Sequence, residues 1–342
     1  MKKILFAATA LSAALFASCD KETETMNPLQ PGTADGAQVT ITLSGADAET
    51  RAFFNTTAKA ESWESSLSSL SVFAFDNGGG LIIRRDFTSS ELASKSATFS
   101  LPKSAAGTEC SFYAVANYDA SSAKTRAALT AFVEKSAADY NGTFAEVSSA
   151  AKRSGGFVMS GMKSQTVGAV NSTTNVGITL KRTVAKVALQ TTVDESFADK
   201  YAGELTINSV KLSKAASQSS VVAGTPMPGA MSFSHTQTPA SASGKMNSLF
   251  YIFENGTLTA GSRVLLEINA TYDQDGNGST TDDRSEVTYS VELTGKAAGE
   301  ILRNGYYRVA ANITGLVGQE CAVSVTVADW ETPVTQNVEL GA

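Results

Sequence analysis

Short segments of alternating apolar and polar residues recur along the chain and limit its fold more than any other feature. In the first segment Val39, Ile41 and Leu43 alternate with threonines. A period of two residues is typical of a strand with one buried face. Gly, Asn, Ser and Asp separate the segments, as expected of turns between strands. The other segments are 67–76, 81–87, 97–102, 110–119, 155–161, 175–193, 204–215, 248–255, 262–273, 285–295, 306–315 and 321–330.

The strand pattern predicts a mainly all-β protein with two antiparallel β-sandwich domains, because few helical patterns interrupt it. The exception is "SSAKTRAALTAFVEKSAADY" (121–140), whose apolar residues have helical spacing. It predicts one short helix in the N-terminal domain, capped by Ser121 or Ser122. We expect the N-terminal domain at 52–182 and the C-terminal domain at 183–342.

Aromatic residues in the strand segments are expected to fill the cores of the two sandwiches. An exposed aromatic platform that binds sugar is the alternative. The aromatic residues concerned are Phe73, Phe75, Phe112, Phe250 and Phe253.

The N-terminus "MKKILFAATALSAALFASC" has the features of a bacterial lipoprotein signal at 1–19. Two lysines precede an apolar run, and small residues lead up to Cys19. The apolar run is too short for a transmembrane span, which needs roughly 20 residues. We therefore expect Cys19 to carry lipid and to anchor the exported protein to a membrane. The polar stretch that follows, with two prolines, is expected to be a tether.

Charge and composition exclude several functional classes. The net charge is −6, and no basic stripe indicates nucleic-acid binding. His235 is the single histidine, which excludes most histidine-based metal and triad chemistry. Catalytic motifs and phosphate loops are absent from the sequence, so we predict no enzyme activity and no organic cofactor. Cys110 and Cys321 are expected to be separate buried residues, with a disulfide as the alternative.

One loop has the spacing of a calcium site. Asp273, Asp275 and Asn277 occupy the first, third and fifth positions of an EF-hand-like pattern, and Gly278 occupies the sixth. Arg284 stands at the twelfth position, where such loops have a bidentate glutamate. Two interpretations stay open at this point: bound Ca²⁺, or a plain acidic hairpin tip.

Several phrases of the sequence resemble the fimbrillins, the type V pilins of Gram-negative anaerobes. They are "FYAVAN" (112–117), "FVMSG" (157–161), "LKRTVAKVAL" (180–189), "ILRNGYYRVAANITG" (301–315) and "VTVADW" (325–330). With the lipoprotein cysteine, the resemblance extends from Cys19 to Ala342. It implies a structural pilus subunit with two transthyretin-like sandwich domains, which serves in adhesion to host or bacterial surfaces.

The resemblance also implies an assembly mechanism. An arginine-specific, trypsin-like protease would cut between Arg51 and Ala52 and release the propeptide 20–51. The first strand, with Val39, Ile41 and Leu43, would then leave a groove, and the C-terminal strand of another pilin subunit would fill it. The surface fimbrium would grow by repetition of this step.

The residues alone are consistent with such an exchange. A strand removed from a sandwich leaves unpaired backbone groups and an apolar stripe, which together are a template for a new strand. The replacement must have the same period of two. The tail "PVTQNVELGA" offers Val334, Val338 and Leu340 with this period, interrupted by Gln336. The preceding segment, with Val323, Val325 and Val327, has the same period and is an alternative or additional donor.

Alternatives to a shaft subunit also stay open. A fimbrial tip or adaptor subunit has the same fold, although a tip subunit does not donate a strand onward. A surface glycan-binding lipoprotein is built from β-sandwiches too, but would need an exposed aromatic platform. The arginine in "DAETRAFF" (47–54) could also belong to an ordinary surface loop, since exposed loops are common sites of proteolysis.

Overall fold

A computed structural model describes residues 36–45, 60–222, 224, 226, 231–278, 280–295, 298–317 and 324–329, the last range by its backbone alone. Most of these residues lie in strands. The strands are β1 (Ala37–Ser44), β2 (Leu70–Phe75), β3 (Leu81–Asp86), β4 (Ser96–Leu101), β5 (Glu109–Ala116), β6 (Val133–Glu134), β7 (Met159–Thr166), β8 (Thr173–Thr179), β9 (Lys181–Arg182), β10 (Val184–Val193), β11 (Glu204–Ala215), β12 (Ser219–Ser220), β13 (Phe233–Gln237), β14 (Lys245–Phe253), β15 (Leu265–Asp273), β16 (Arg284–Glu292), β17 (Gly305–Ile313) and β18 (Ser324–Asp329).

The helices in this part of the chain are all short. The α-helices are α1 (Ser89–Ser94), α2 (Arg126–Thr130), α3 (Phe144–Val147) and α4 (Ser196–Lys200). Single 3-10 turns occur at Ser62–Glu64, Lys103–Ala105 and Ala137–Tyr140. None of the helices in the described residues has the length and apolarity needed to cross a bilayer.

Two sheets formed by residues before 183 enclose one core. The order in the smaller sheet is β4-β1-β8, and the order in the larger is β3-β2-β5-β7-β9. Apolar residues of both sheets share a single buried cluster, because alternate side chains of each strand point inward. We call these the N-terminal sheets.

Two sheets formed by later residues enclose a second core. Their orders are β14-β10-β17-β18 and β13-β11-β15-β16. Apolar residues of β10, β11, β14, β15, β16 and β17 share this buried cluster. We call these the C-terminal sheets. The prediction of a mainly β protein built from sandwiches is confirmed.

Each half contains one parallel strand pair, which the prediction of antiparallel sandwiches did not include. β1 lies parallel to β8, and β10 lies parallel to β17. The remaining ladders are antiparallel, as in the expected hairpin β2–β3 and the pair β15–β16. Alternation within a strand predicts which face is buried but not which strand becomes the neighbour.

The predicted helix over 121–140 is largely wrong. The helical part is only Arg126–Thr130, and the cap is Thr125, whose hydroxyl accepts a hydrogen bond from the Ala128 amide. Next come the short strand β6, which pairs with β12, and then a 3-10 turn. Pairing with a distant segment therefore overrides local helical spacing here.

Three other α-helices were not predicted, although two of them carry a recognisable signal. Thr88 and Glu91 form a capping box at α1, and Thr143 and Glu146 form another at α3. In a capping box the threonine and the glutamate satisfy backbone amides of the first helical turn reciprocally. The T-x-x-E spacing could have located both helices.

The five phenylalanines named above are buried, as predicted, but not all lie between the sandwich sheets. Phe112 and Phe250 lie in the two sandwich cores. Phe73 and Phe75 lie in a separate cluster on the opposite face of β2, with Leu129 and Val221. Phe253 belongs to a fourth cluster that joins residues of both halves. Cys110 is a free, buried thiol in β5, whereas Cys321 lies outside the described residues.

Candidate functional site

Strand β1 lies in the middle of its sheet and pairs on both sides. On one side it is antiparallel to β4, from Ala37↔Leu101 to Thr42↔Ser96. On the other it is parallel to β8, from Gln38↔Thr173 to Ser44↔Thr179. Removal of β1 would therefore leave two facing strand edges with unpaired donors and acceptors, which is the backbone template for an added strand.

The inner face of β1 is apolar and buried. Ala37, Val39 and Ile41 are 0% exposed, and Leu43 is 5% exposed. These are the residues that the alternation predicts as buried. They share one core with residues from β2, β4, β5 and β8, including Leu70, Val72, Ala74, Phe99, Phe112, Val176 and Ile178. Burial of side chains the size of Val, Ile or Leu contributes roughly 1.5–3 kcal/mol each.

The outer face of β1 is polar and partly exposed. Thr40 Oγ1 lies 2.9 Å from Thr98 Oγ1, and Ser44 Oγ lies 3.1 Å from Thr179 Oγ1. Cross-strand hydroxyl pairs of this kind contribute only about 0.2–1 kcal/mol. The inner apolar residues and the backbone ladders therefore supply most of the attachment of β1.

A glycine lies at each end of β1 where the backbone comes very close to its neighbour. A Cβ atom at Gly36 would lie 2.0 Å from the carbonyl oxygen of Leu101. Gly45 has a φ of +81°, and a Cβ atom there would lie 2.5 Å from the carbonyl oxygen of Leu180. A side chain at either position would therefore push the strand away from its neighbour.

The predicted processing and donor residues lie outside the described residues. These are Cys19, Arg51, Ala52, Val334, Val338 and Leu340. Arg51 follows the last described residue of this range, Gly45, by six positions. Lipidation, cleavage and donation are therefore still predictions.

The C-terminal strand β18 is paired in this subunit. Its backbone is antiparallel to β17, with Val325 opposite Val309 and Val327 opposite Tyr307. Among the described strands it forms the edge of its sheet. The segment 324–329 thus has a place in the subunit's own fold, which favours the residues after it as the donor.

A buried group of charged and polar side chains joins the two halves of the protein, and the sequence analysis missed it. Its members come from the turn before β2, from β9, β10 and β14, and from the residue that precedes β17. We call this group the junction cluster, and it consists of Glu64, Arg182, Lys186, Tyr251 and Asn304.

The geometry of the junction cluster centres on the Glu64 carboxylate, which is 0% exposed. Lys186 Nζ lies 2.7 Å from Glu64 Oε1, and the Tyr251 hydroxyl donates to the same oxygen. Arg182 Nε donates to the Glu64 carbonyl oxygen over 2.7 Å, and Arg182 Nη1 donates to Asn304 Oδ1 over 2.8 Å. Buried charges are tolerated when they are paired in this way, and removal of one partner costs about 3–5 kcal/mol.

Burial shifts the pKa values in the junction cluster. Burial lowers the pKa of Lys186, although the Glu64 carboxylate acts in the opposite direction. Burial and the nearby Glu64 carboxylate raise the pKa of Tyr251 well above its ordinary value.

The sequence contains a signal for the junction cluster in "KRTVAK", where Arg182 and Lys186 have even spacing in an apolar run. Two cations in a segment that is expected to be buried require a buried acidic partner.

The acidic loop predicted as a calcium site connects β15 to β16. Asp273, Asp275 and Asp283 each place a carboxylate oxygen within 4.8 Å of the others. Arg284 Nε donates to Asp273 Oδ2 over 3.1 Å, and the Asn277 side-chain amide donates to Asp275. Burial acts to raise the pKa of Asp273, but hydrogen bonds from Arg284 and from loop amides outweigh it and lower the pKa. An arginine therefore already supplies positive charge to this loop.

We expect the protein to have the same melting temperature in excess calcium and in EDTA. Arg284 occupies the sequence position at which a calcium loop needs a bidentate carboxylate. Scanning calorimetry of the uncut protein would measure this directly. A higher melting temperature in calcium that is lost in Asp275→Asn would contradict the expectation and establish a metal site.

The described residues do not provide an exposed aromatic platform. Within this part of the chain, the large hydrophobic side chains that are exposed are Met162 and Val317, and neither is aromatic. Trp63 borders an open cleft of about 520 Å³ near Arg153, but it is half-buried and packs against the cluster that joins the halves.

Comparison with known protein families gives one match over most of the chain. The model of the family described as major fimbrial subunit protein (FimA) matches residues 37–294. The match begins at Ala37, the first residue of β1. No match was found among curated proteins.

Solved structures with the same fold come from several bacteria. A cell adhesion protein of Parabacteroides distasonis has a TM-score of 0.57 at 15% identity, covering 90% of this chain and 96% of its own. A cell adhesion protein of Bacteroides eggerthii has a TM-score of 0.54 at 18% identity, covering 91% and 96%. The tip fimbrial protein Mfa3 of Porphyromonas gingivalis, with a C-terminal truncation, has a TM-score of 0.50 at 14% identity, covering 89% and 99%. At these identities the likeness shows the fold.

Proposed function

The chain belongs to the major fimbrial subunit protein (FimA) family and is a structural subunit of fimbriae, and from this premise we propose that its subunits are joined by exchange of strand β1. The observation that carries the proposal is the position of β1. β1 is the middle strand of a three-stranded sheet, and the side chains on its inner face are all apolar. A strand of this kind can be replaced by any segment that offers the same ladder and the same alternation.

The proposed sequence of events begins with export. Lipid on Cys19 anchors the precursor in the outer membrane, and an arginine-specific protease then cuts between Arg51 and Ala52. The segment 20–51, which contains β1, leaves with the anchor. Before the cut, β1 is tethered to its own groove and competes at high effective concentration with any other strand. Premature assembly is suppressed in this way.

The C-terminal tail of another subunit is the proposed replacement. Val334, Val338 and Leu340 have the period of the inner face of β1. The partners of the chain are accordingly other pilin subunits, and the assembled product is a cell-surface fimbrium that adheres to host or bacterial surfaces. We propose 52–182 and 183–342 as the two domains of the mature subunit. The end of β9 at Arg182 and the start of β10 at Val184 support this boundary.

A shaft or adaptor position in the fibre fits the tail better than a tip position does, because a tip subunit needs no donor strand. The similarity to a tip protein concerns the fold and does not favour a tip role. Glycan binding is the weaker alternative, since the described residues contain no exposed aromatic side chain of the kind that stacks on sugars.

Deletion of 333–342 is expected to leave the uncut protein folded but to stop its assembly after the cut. The tail is needed only when it donates to a neighbour, so the melting temperature of the uncut protein should not change. After cleavage the truncated subunits should stay monomeric in size-exclusion chromatography. When they are mixed with uncut full-length subunits, they should form dimers that grow no further, because the groove of the truncated subunit still accepts a tail.

Single substitutions in the tail provide a matched control for the deletion. Val338→Asp places a charge at an inward position and is expected to block assembly, whereas Asn337→Asp places it at the neighbouring outward position and is not. Oligomers that elongate without 333–342 would locate the donor elsewhere.

A further inference from the structure

The turn that carries Glu64 lies between the proposed cut and the strand that forms the floor of the β1 groove. Along the chain, Arg51 is followed by the 3-10 turn Ser62–Glu64 and then by β2, which begins at Leu70. Cleavage after Arg51 would create a new chain end at Ala52, only twelve residues before Glu64. New chain ends fray unless side chains or backbone pairing hold them.

The turn itself is closed by the Glu64 side chain. The Glu61 amide donates to Glu64 Oε2 over 2.8 Å, and the Glu64 amide donates to the Glu61 carbonyl oxygen over 3.0 Å. Ser65 donates back to the Glu61 and Ser62 carbonyl oxygens. The Glu64 carboxylate is therefore one of the groups that close the turn.

Two side chains of the C-terminal sheets hold the Glu64 carboxylate. Lys186 on β10 and Tyr251 on β14 bind its carboxylate, and Arg182 on β9 binds its carbonyl oxygen. These side chains are 1–2% exposed. Glu64 is thus fixed to a part of the protein that neither loses a strand nor changes its connection when the chain is cut.

The chain leads directly from this turn to the floor of the groove. Asn117 binds the Ser66 carbonyl oxygen and the Ser68 amide, each over 2.8 Å. Next comes β2, whose inward residues Leu70, Val72 and Ala74 share the core with Val39 and Ile41. If the chain frayed as far as β2, the incoming strand would lose part of the surface that binds it.

We propose that Glu64, held by Lys186, Arg182 and Tyr251, is a positioning residue for strand exchange, because it stops fraying of the cut chain before β2 and keeps the groove floor in place. This role rests on the proposed function, in which β1 leaves after cleavage. The buried Glu64 carboxylate takes no part in the strand exchange itself, and this role gives it a function. A contact that only stabilised the fold would act equally before and after the cut, whereas loss of this anchor should speed exchange in β2 more after the cut than before it.

Hydrogen exchange measured by mass spectrometry on uncut and cut protein tests the proposal. The variants are Glu64→Gln, which removes the buried charge, and Tyr251→Phe, which removes one donor to Glu64 and keeps the ring. Tyr289→Phe is the matched control, because it removes a buried hydroxyl that donates to the Gly315 carbonyl oxygen in the C-terminal half. Capture of a synthetic peptide of residues 333–342 is the second readout.

Loss of a buried partner lowers the stability of the uncut variants as well, so the quantity compared is the ratio of the exchange rates of residues 70–75 in the cut and the uncut form of each protein. After the cut, these residues should stay protected in the wild type and in Tyr289→Phe. The ratio should be at least tenfold higher in Glu64→Gln and Tyr251→Phe, and these variants should capture less peptide. If Glu64→Gln does not fold, Tyr251→Phe carries the test alone.

Two outcomes would overturn the inference. One is equal protection of residues 70–75 in cut wild type and cut variants. The other is the same loss of protection before and after the cut, which would show an ordinary contribution to stability. The proposed function has a separate readout in cut proteins that also carry Val338→Asp, in which no tail refills the groove, since departure of β1 must there speed exchange in 96–101 and 173–179. Unchanged exchange there would reject strand departure, whatever happens in β2.

Discussion

An arginine-specific protease is expected to convert the purified monomer into SDS-resistant oligomers in which every subunit begins at Ala52. The cut separates β1 from the body of the subunit, so its groove becomes open to the tail of a neighbour. Each joint would then fill three apolar pockets at roughly 1.5–3 kcal/mol each and restore two backbone ladders. N-terminal sequencing and SDS gels without boiling would measure cleavage and assembly together.

The variant Arg51→Gln is the control for this experiment. It removes the scissile arginine and keeps β1, its groove and the C-terminal tail, so the protein should remain an uncut monomer under the same protease. Clean cleavage at Arg51 that leaves only monomers would reject assembly by strand exchange. On cells, Ala52 rather than Cys19 is the expected N-terminal residue of the surface form.

Replacement of Ile41 by aspartate is expected to lower the free energy of unfolding of the uncut protein by at least about 4 kcal/mol. Ile41 is fully buried, so the substitution both removes apolar burial and places an unpaired carboxylate in the core. The weakened β1 should also lose its competition with free tails. Urea unfolding would measure the first effect, and size-exclusion chromatography without protease would detect premature oligomers.

Thr42→Asp provides the matched control in the same strand. Thr42 is the next residue and points to the exposed face, with Ser96 and Gly177 as its neighbours in the two ladders. Its substitution should change stability by less than about 1 kcal/mol, as is usual for surface positions. Equal effects of the two substitutions would contradict the assignment of the inner face of β1 as its main attachment.

The sequence predicted the buried face of β1 correctly, because period-two alternation directly reflects which side chains face a core. It also predicted the hairpin β2–β3, whose glycine-rich turn is a local signal. These features depend on residues close together in the chain. The family resemblance rested on phrases such as "LKRTVAKVAL", which contains two members of the junction cluster.

Other features depend on distant residues and could not be predicted from the chain alone. The parallel pairing of β1 with β8 joins segments more than 130 residues apart, and no local pattern specifies it. Glu64 and Lys186 are 122 positions apart, so only the even spacing of two cations hinted at their burial. In 121–140, pairing of Val133–Glu134 with Ser219–Ser220 overrides helical spacing. Tertiary contacts decide each of these cases.

The two neighbours of β1 run in opposite directions, since β1 is antiparallel to β4 and parallel to β8. An incoming strand can enter the groove in either of two directions. In both directions it pairs with one neighbour in parallel and with the other antiparallel. The backbone of the groove therefore does not select the direction of the incoming strand. The direction of the incoming strand, and with it the polarity of the filament, must consequently depend on the sizes of its inward side chains and on the length of the tail that carries them.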